Sequence, residues 1–423
     1  MTTAVTEPMA GIRVLEVALF GFVPSAGAIL ADWGADVIKV EHPVGGDPVR
    51  AMAAWGIPPG AGGLTYLWEV FNRGKRAVAI DLRSTEGRDL LLQLVDTADV
   101  FLTNFLPAAR RTLGIDAEDV MGRNPRIVYA RGSAHGVLGS GAESGGFDGI
   151  TYWSATGASL SARPRGHPEP IPMPGPGFGD IQAGSQLAGG VAAALLHRER
   201  TGRGVVVDHS LLAAGLWAMQ PSIAGASVAG VEQLGAVDRR APDTPLGNWY
   251  RTADDRWVFL GFNDPDRHWP PFCHLIGRPD LLTDERFATQ GARMANLELT
   301  VELLDGIFAE RALSDWRTLL AAQDGPWAVH RTPAEAARDP QSITNGYTQV
   351  LTHADGATVT LVAAPAQFDG PAAPLRPAPG HGQHTDEVLR DLGHGPEELD
   401  RLKDSGVIRQ SGPNPAGPTP PLT

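Results

Sequence analysis

GIRVLEVALFGFVPSAGAILADWGADVIKVE, residues 11–41, is the stretch from which the fold is read. Residues 13–17 form a short apolar run of strand type, residues 24–33 repeat with helical periodicity, and residues 35–41 are strand-like again. The cycle recurs downstream, with strands expected at 77–82, 99–105 and 126–130 and a helix at 86–98. Strand, helix and strand at this spacing imply right-handed crossovers and a parallel, doubly wound sheet, hence an α/β fold. Ligands on such sheets sit beyond the carboxyl ends of the strands. The first strand ends in Leu19-Phe20-Gly21-Phe22-Val23-Pro24, with no G-x-G-x-x-G to hold a dinucleotide. A G-x-x-x-x-G-K-[ST] phosphate loop is also missing, so ATP-driven ligation of P-loop type has no support.

The chain has 423 residues, 43% hydrophobic and 20% charged, which is globular and long enough for two domains. Its net charge of −13 argues against nucleic acid or an anionic membrane as partner. Residues 1–10 lack the basic and apolar regions of a signal peptide, and no apolar run reaches the ~20 residues of a membrane helix. A lone cysteine, Cys273, excludes an intrachain disulfide and reads as a small core hydrophobe, so the cytoplasm is the expected compartment.

Residues 161–179 are crowded with Pro and Gly and cannot be regular structure. A long helix is expected at 182–199 and a strand at 205–209. The texture changes between 220 and 330, where Trp is more frequent and isolated helices appear at 297–310 and 313–321. A β-like run at 357–362 and a C-terminal helix follow, and the Pro-rich tail 412–423 reads as disordered. Residues 1–219 and 331–423 are therefore expected to build a large domain, with 220–330 a smaller α+β domain inserted between them.

Asp180 lies where the Pro/Gly loop gives way to the long helix. A carboxylate there is partly surrounded by backbone N–H groups, and the glycines let a bulky ligand approach. An ordinary helix cap fits the same position, and taken alone the motif favours the cap.

The context of Asp180 resembles the family III CoA-transferases, the group of formyl-CoA transferase and the carnitine CoA-transferases, together with the related α-methylacyl-CoA racemases. The likeness runs through GIRVLEV at Gly11, ADWGADVIKVEHPVGGDPVR at Ala31, NRGKRAVAIDLRSTEGRDLL at Asn72, DVFLTNFLP at Asp99 and NPRIVYARGSAHG at Asn124. It continues through FDGITYWSATG at Phe147, GDIQAGSQLAGG at Gly179, IGRPDLLTDERF at Ile276, the pair Arg293 and Asn296, GQHTDEVLRDLG at Gly382 and SGVI at Ser405. The resemblance implies a Rossmann-like large domain, a small domain, and two subunits interlocked like links of a chain. It also makes Asp180 the nucleophile of an enzyme that moves coenzyme A from an acyl-CoA to a carboxylic acid, with CoA a substrate and no permanently bound cofactor.

The same resemblance assigns CoA contacts to Phe20, Gly21, His42, Ile80, Arg83, Asn104, Phe105 and Arg131. Formyl-CoA transferase has a glutamine where Gly21 stands, and Leu106 and Ala108 depart from the family's commoner Arg and Gly. A further family arginine falls on Thr112, with Arg110 or Arg111 as substitutes. Independently, CoA phosphates need cations, and Lys75, Arg76, Arg83, Arg110, Arg111 and Arg131 lie near strand ends in an acidic chain. Lys39 is a further possible contact.

Racemases of this group place a His in a G-H-D triplet to exchange an α-proton. Here the triplet is Gly146-Phe147-Asp148, and phenylalanine accepts no proton. His135 is the nearby histidine that could compensate. The reading is therefore transfer, with an acyl-CoA racemase or a non-catalytic CoA-binding protein as the alternatives. His381 with His384, and His268, Cys273 with His274, lack a complete metal-ligand spacing, so no metal is expected. Gly261-Phe262-Asn263 aligns with a mobile glycine loop of formyl-CoA transferase and is a candidate lid. Tyr152, Trp153 and Trp55 are candidates for an apolar acyl pocket.

Overall fold

The computed structural model describes residues 6–55, 65–235, 238–354 and 356–412. The Pro-rich tail beyond residue 412 and the side chain of Trp55 lie outside the described residues. The chain divides into two compact units, one of residues up to 159, 172–230 and from 337 on, the other of 160–171 and 231–336.

In the first unit, β1 (Arg13–Val17), β2 (Asp36–Glu41), β3 (Arg76–Ile80), β4 (Val100–Thr103), β5 (Val128–Ser133) and β6 (Val206–Ser210) form one sheet in the order β3-β2-β1-β4-β5-β6. Each neighbouring pair is parallel. A last short strand, Ile408–Arg409, joins the β3 edge antiparallel, with Ile408 opposite Ile80. Val14, Val37, Val100, Leu102 and Val128 pack into one face. Leu15, Val17, Ile38, Val40 and Phe101 pack into the other. Successive side chains point to opposite faces, and both faces are covered, so these strands read as mainly apolar runs, interrupted by Glu16 in β1 and Lys39 in β2.

The helices in chain order are α1 (Phe22–Asp32), α2 (Tyr66–Asn72), α3 (Thr85–Thr97), α4 (Pro107–Leu113), α5 (Ala117–Arg123), α6 (Ala158–Ser161) and α7 (Phe178–Thr201). The small residues of α7 let its backbone press against α1: a Cβ on Gly184 would stand 2.5 Å from Ser25 Cβ and 2.8 Å from the Phe22 carbonyl. The helix starts four residues before the expected position 182. Gly177, at φ +77°, turns the chain out of the Pro-rich loop. The Phe178 ring then packs edge-on against Tyr152 and Trp153 at 6.4 and 6.1 Å, which holds the first turn.

Two short helices, α8 (Leu211–Ala218) and α9 (Gln220–Ala229), follow β6, and α9 buries no residue. Among the described residues no single helix is long and apolar enough to cross a membrane.

The second unit is α+β, with β7 (Trp249–Arg251), β8 (Trp257–Leu260) and β9 (Trp327–Val329) antiparallel over a core that includes Trp269, Phe272, Phe308 and Trp316. Arg293 is fully buried there, donating to the Phe287 carbonyl at 2.9 Å and lying 4.6 Å from the Trp269 ring, so the Arg293 and Asn296 motif is structural. Cys273 shares this core, and burial pushes its thiol up to about 12. The lid expected at Gly261-Phe262-Asn263 is corrected: Gly261 N–H donates to Pro326 and Phe262 N–H to Leu246, and the Phe262 side chain is core. A β-hairpin of β10 (Thr348–Thr352) and β11 (Thr358–Val362) belongs to the first unit.

Candidate active site

The sheet order reverses between β1 and β4, where the chain leaves β1 through Leu19, Phe20 and Gly21. Three contacts fix this turn. The Asn104 side chain accepts from Leu19 N–H at 2.9 Å and donates to the Leu19 carbonyl at 2.6 Å. Phe20 N–H donates to Asp47 Oδ1 at 3.2 Å. Phe20 adopts φ +63°, a left-handed conformation that costs a bulky residue of order 1–3 kcal/mol unless its surroundings impose it.

The surroundings here are a buried ionic network. Lys39 Nζ bridges Asp47 Oδ2 at 2.9 Å and Glu16 Oε1 at 3.0 Å, and Lys75 Nζ meets Glu16 at 2.7 Å. Gly27 makes room for it, since a Cβ there would stand 2.0 Å from Glu16 Oε2. Burial holds the Lys75 ammonium below its usual range in spite of Glu16. Lys39 and Lys75, possible CoA cations by their sequence positions, are therefore buried internal props of the turn.

Asp180 is the third residue of α7, and its side chain makes no capping bond, Gly177 being the N-cap. The cap reading is thereby excluded. The carboxylate lies against the turn: a Cβ on Gly21 would stand 2.3 Å from Asp180 Oδ2, so backbone meets carboxylate where formyl-CoA transferase has a glutamine. Asp148 accepts from Gly179 N–H at 3.1 Å and Gly149 N–H at 2.8 Å. It thus occupies a free N–H of the α7 N-terminus, whose partial positive charge would otherwise favour the Asp180 anion. Burial first, and then the charge of Asp148, push Asp180 up to about 7. A carboxylate so placed is half protonated near neutrality, and its anion is a stronger nucleophile than an ordinary aspartate.

Asp180 opens into a cleft of about 600 Å³ that Phe20, Asn104, Phe105 and Arg131 also line. The structure therefore gathers four of the eight expected CoA contacts around one cavity, and Gly21 lies behind them against Asp180. His42, Ile80 and Arg83 are not part of its lining. They follow β2 and end β3, where His42 Nε2 lies 3.7 Å from Asp81 Oδ1 and Arg83 N–H donates to the same carboxylate at 3.0 Å. The Ile80 side chain is fully buried in the core, at the last position of β3. Among the described residues Arg83 has no ion pair, whereas Arg76 is held by Asp36 at 2.6 Å. In the cleft, Arg110 pairs with Asp116 at 3.1 Å, Arg111 with Glu143 at 3.2 Å, and Arg131 with Asp208.

Phe147 stands in the cleft wall, its ring edge-on to Phe20 at 5.4 Å. His135 packs under Gly141 and Gly146 and is not among the lining residues. Among the described residues no three His, Cys, Asp or Glu side chains are grouped to hold a metal. His381 instead bonds the His42 carbonyl at 2.9 Å, and His384 Nδ1 accepts from Ala77 N–H at 3.2 Å. Sequence reasoning missed Asp47, Asp148 as an electrostatic partner, and Phe71, whose ring closes on both Gly21 and Gly177. The G-G-D-P-V-R run at Gly45 was a usable signal for Asp47, because an Asp after two glycines commonly bonds neighbouring backbone.

A doubly wound sheet with a raised carboxylate at its switch point defines an α/β enzyme built for covalent or acid–base work on a bound ligand. The sequence matches the family described as CoA-transferase family III over residues 9–385, and the chain belongs to that family. It is 31% identical over 400 residues to the (R)-2-hydroxy-4-methylpentanoate CoA-transferase of Clostridioides difficile, covering 94% of this chain and 99% of that one. It is 32% identical over 403 residues to the succinate–glutarate CoA-transferase of Agrobacterium fabrum, covering 91% and 96%. Its fold is similar to a CAIB/BAIF family protein from Brucella suis at a TM-score of 0.79, with 28% identity and 92% and 100% coverage. It is also similar to Rv3272 of Mycobacterium tuberculosis at a TM-score of 0.75, with 30% identity and 90% and 99% coverage.

Proposed function

We propose that the protein transfers CoA between carboxylic acids through Asp180 as a covalent relay. The Asp180 carboxylate attacks the thioester carbonyl of the donor acyl-CoA, the C–S bond breaks, and an aspartyl–acyl anhydride and CoA thiolate result. The thiolate then attacks the Asp180 carbonyl carbon, releasing the donor acid and leaving an aspartyl–CoA thioester. The acceptor carboxylate attacks that thioester, and the thiolate returns to the acceptor's carbonyl carbon, freeing Asp180 and the new acyl-CoA. The thioester bond energy is retained throughout, so neither ATP nor a metal is required.

The observation that carries this reading is the Asp180 carboxylate, without a side-chain cap bond, lining the cleft and lying against the Gly21 backbone. Phe20, Asn104, Phe105 and Arg131 would contact CoA in the cleft, with His42 and Arg83 at its nucleotide end. Phe147 in the wall offers no base for α-proton exchange, which supports transfer over racemisation. The names of the relatives cover a hydroxy acid and dicarboxylates and leave the acid open. The exposed apolar side chains of Trp217, Ile223 and Val228 on α8 and α9 support an interlocked homodimer. A cytoplasmic enzyme working on soluble thioesters is consistent with this scheme.

The test is intact mass after incubation with a panel of acyl-CoAs. A gain of one CoA less water, abolished by Asp180→Asn, is expected. Tight CoA binding with no adduct from any thioester refutes the relay, and α-proton exchange into deuterated water would then identify a racemase.

A further inference from the structure

The wall beside Asp180 differs in chemistry from the rest of the cleft. Gly21 touches the carboxylate, and its neighbour Phe20 packs edge-on against Phe147 at 5.4 Å. Phe147 precedes Asp148, which holds the first turn of α7, and Ile150 follows two residues later in a π-helical turn. Phe147 and Ile150 are 55% and 60% exposed and line the same cleft as Asp180, so their apolar surface is free to meet a ligand. Phe22 and Leu211 extend that wall.

The charges are arranged the other way. Every cation lining the cleft already faces a carboxylate: Arg110 faces Asp116, Arg111 faces Glu143, and Arg131 faces Asp208. Among the described residues the charge acting on Asp180 is the negative charge of Asp148, and no cation there offsets it. An acid bound for reaction with Asp180 brings its carboxyl group to that point, and its remaining atoms lie along the Phe20, Phe147 and Ile150 surface. A second carboxylate there would be desolvated without a partner and repelled by Asp148, whereas a hydrocarbon body would be favourably buried.

We infer, on the basis of the transferase reading above, that the enzyme selects monocarboxylic acids with an apolar body over dicarboxylic acids, and that Phe147 and Ile150 set this preference. The experiment compares hexanoate with adipate as acceptors, which share a chain length and differ in the distal carboxylate. Transfer is followed as new acyl-CoA by mass spectrometry, using whichever donor forms the adduct. Hexanoate is expected to exceed adipate in kcat/KM by at least about 100-fold. Phe147→Arg supplies a cation to the distal carboxylate and should shrink that ratio at least about tenfold, with Ile150→Arg as a second variant at an equally exposed position. A wild-type ratio of one or below overturns the inference and leaves the transferase reading intact, as does a ratio that neither variant moves. Transfer to neither acid, together with α-proton exchange into deuterated water, overturns the transferase reading and the inference with it.

Discussion

Replacing Gly21 by alanine isolates the contact between the β1 turn and Asp180, the proposed nucleophile. Gly21 has φ −100° and ψ −47°, which any L-residue adopts, so the substitution brings no backbone strain of its own. The new methyl group would stand 2.3 Å from Asp180 Oδ2 and 2.9 Å from Phe71 Cζ, where ordinary contact begins near 3.4 Å. The carboxylate must therefore retreat by about 1 Å, and a misplacement of that size at a reacting atom costs about 100-fold in rate. That factor corresponds to about 2.7 kcal/mol of transition-state stabilisation. The assay is the initial rate of CoA transfer at saturating donor and acceptor, beside a thermal melt to show that the variant is folded. We expect kcat to fall about 100-fold while KM for the acyl-CoA changes little, because phosphate and adenine contacts are untouched. Adding Phe71→Leu relieves the second clash and leaves the first, so the double variant should remain slow. A kcat within about threefold of the parent would refute the argument that Gly21 is required by the position of Asp180.

Asp148→Asn removes the negative neighbour of Asp180, so the acidic limb of kcat/KM, set near 7 in the parent by Asp180, should move to lower pH; an unmoved limb refutes the electrostatic pairing. Asp180 holds a proton in the folded chain that the unfolded chain releases between about pH 4 and 7, so the parent loses stability as pH rises through that window. Asp180→Asn should therefore be more stable than the parent by about 2 kcal/mol at pH 8, after allowance for solvent screening, and nearly equal to it at pH 4, as read from urea melts. Glu16→Ala leaves Lys39 and Lys75 buried without their shared carboxylate and should lower stability by about 3–5 kcal/mol, seen as a reduced urea midpoint. Gly184→Val forces α7 away from α1, since even a Cβ would lie 2.5 Å from Ser25, and should cost at least about 1–3 kcal/mol in the same assay.

The parallel sheet was legible because strands buried on both faces are spelled mainly in apolar residues, as in Val14, Leu15 and Val17 or Val37, Ile38 and Val40, with Glu16 and Lys39 paired to each other as the exceptions. The short strand at Ile408 carried no such signal: two residues have no measurable period, and their partner in the sheet lies near the other end of the chain. The start of α7 was misread because Pro and Gly dominate residues 161–179, whereas the helix is begun by the packing of Phe178 on two aromatic rings. Asp180 was singled out through its motif, but its electrostatic setting was hidden, because Asp148 reaches the start of α7 through tertiary structure alone. Lys39 and Lys75 illustrate the converse error. Local sequence places a lysine near a strand end, but only the assembled layers show that Glu16 lies beneath both.

The antiparallel strand at Ile408–Arg409 has a consequence for how the molecule is made. It covers the edge of β3, and His384 reaches across 307 residues to take the N–H of Ala77 beside it. During synthesis β3 leaves the ribosome long before the residues that protect it, so its open edge must wait for nearly the whole chain to be translated. Contacts that distant in sequence slow folding and leave an unpaired edge exposed to neighbouring chains in the interval. A chain ended before Ile408, though it would retain Asp180 and every residue of the cleft, should yield a polypeptide that aggregates rather than a shortened enzyme.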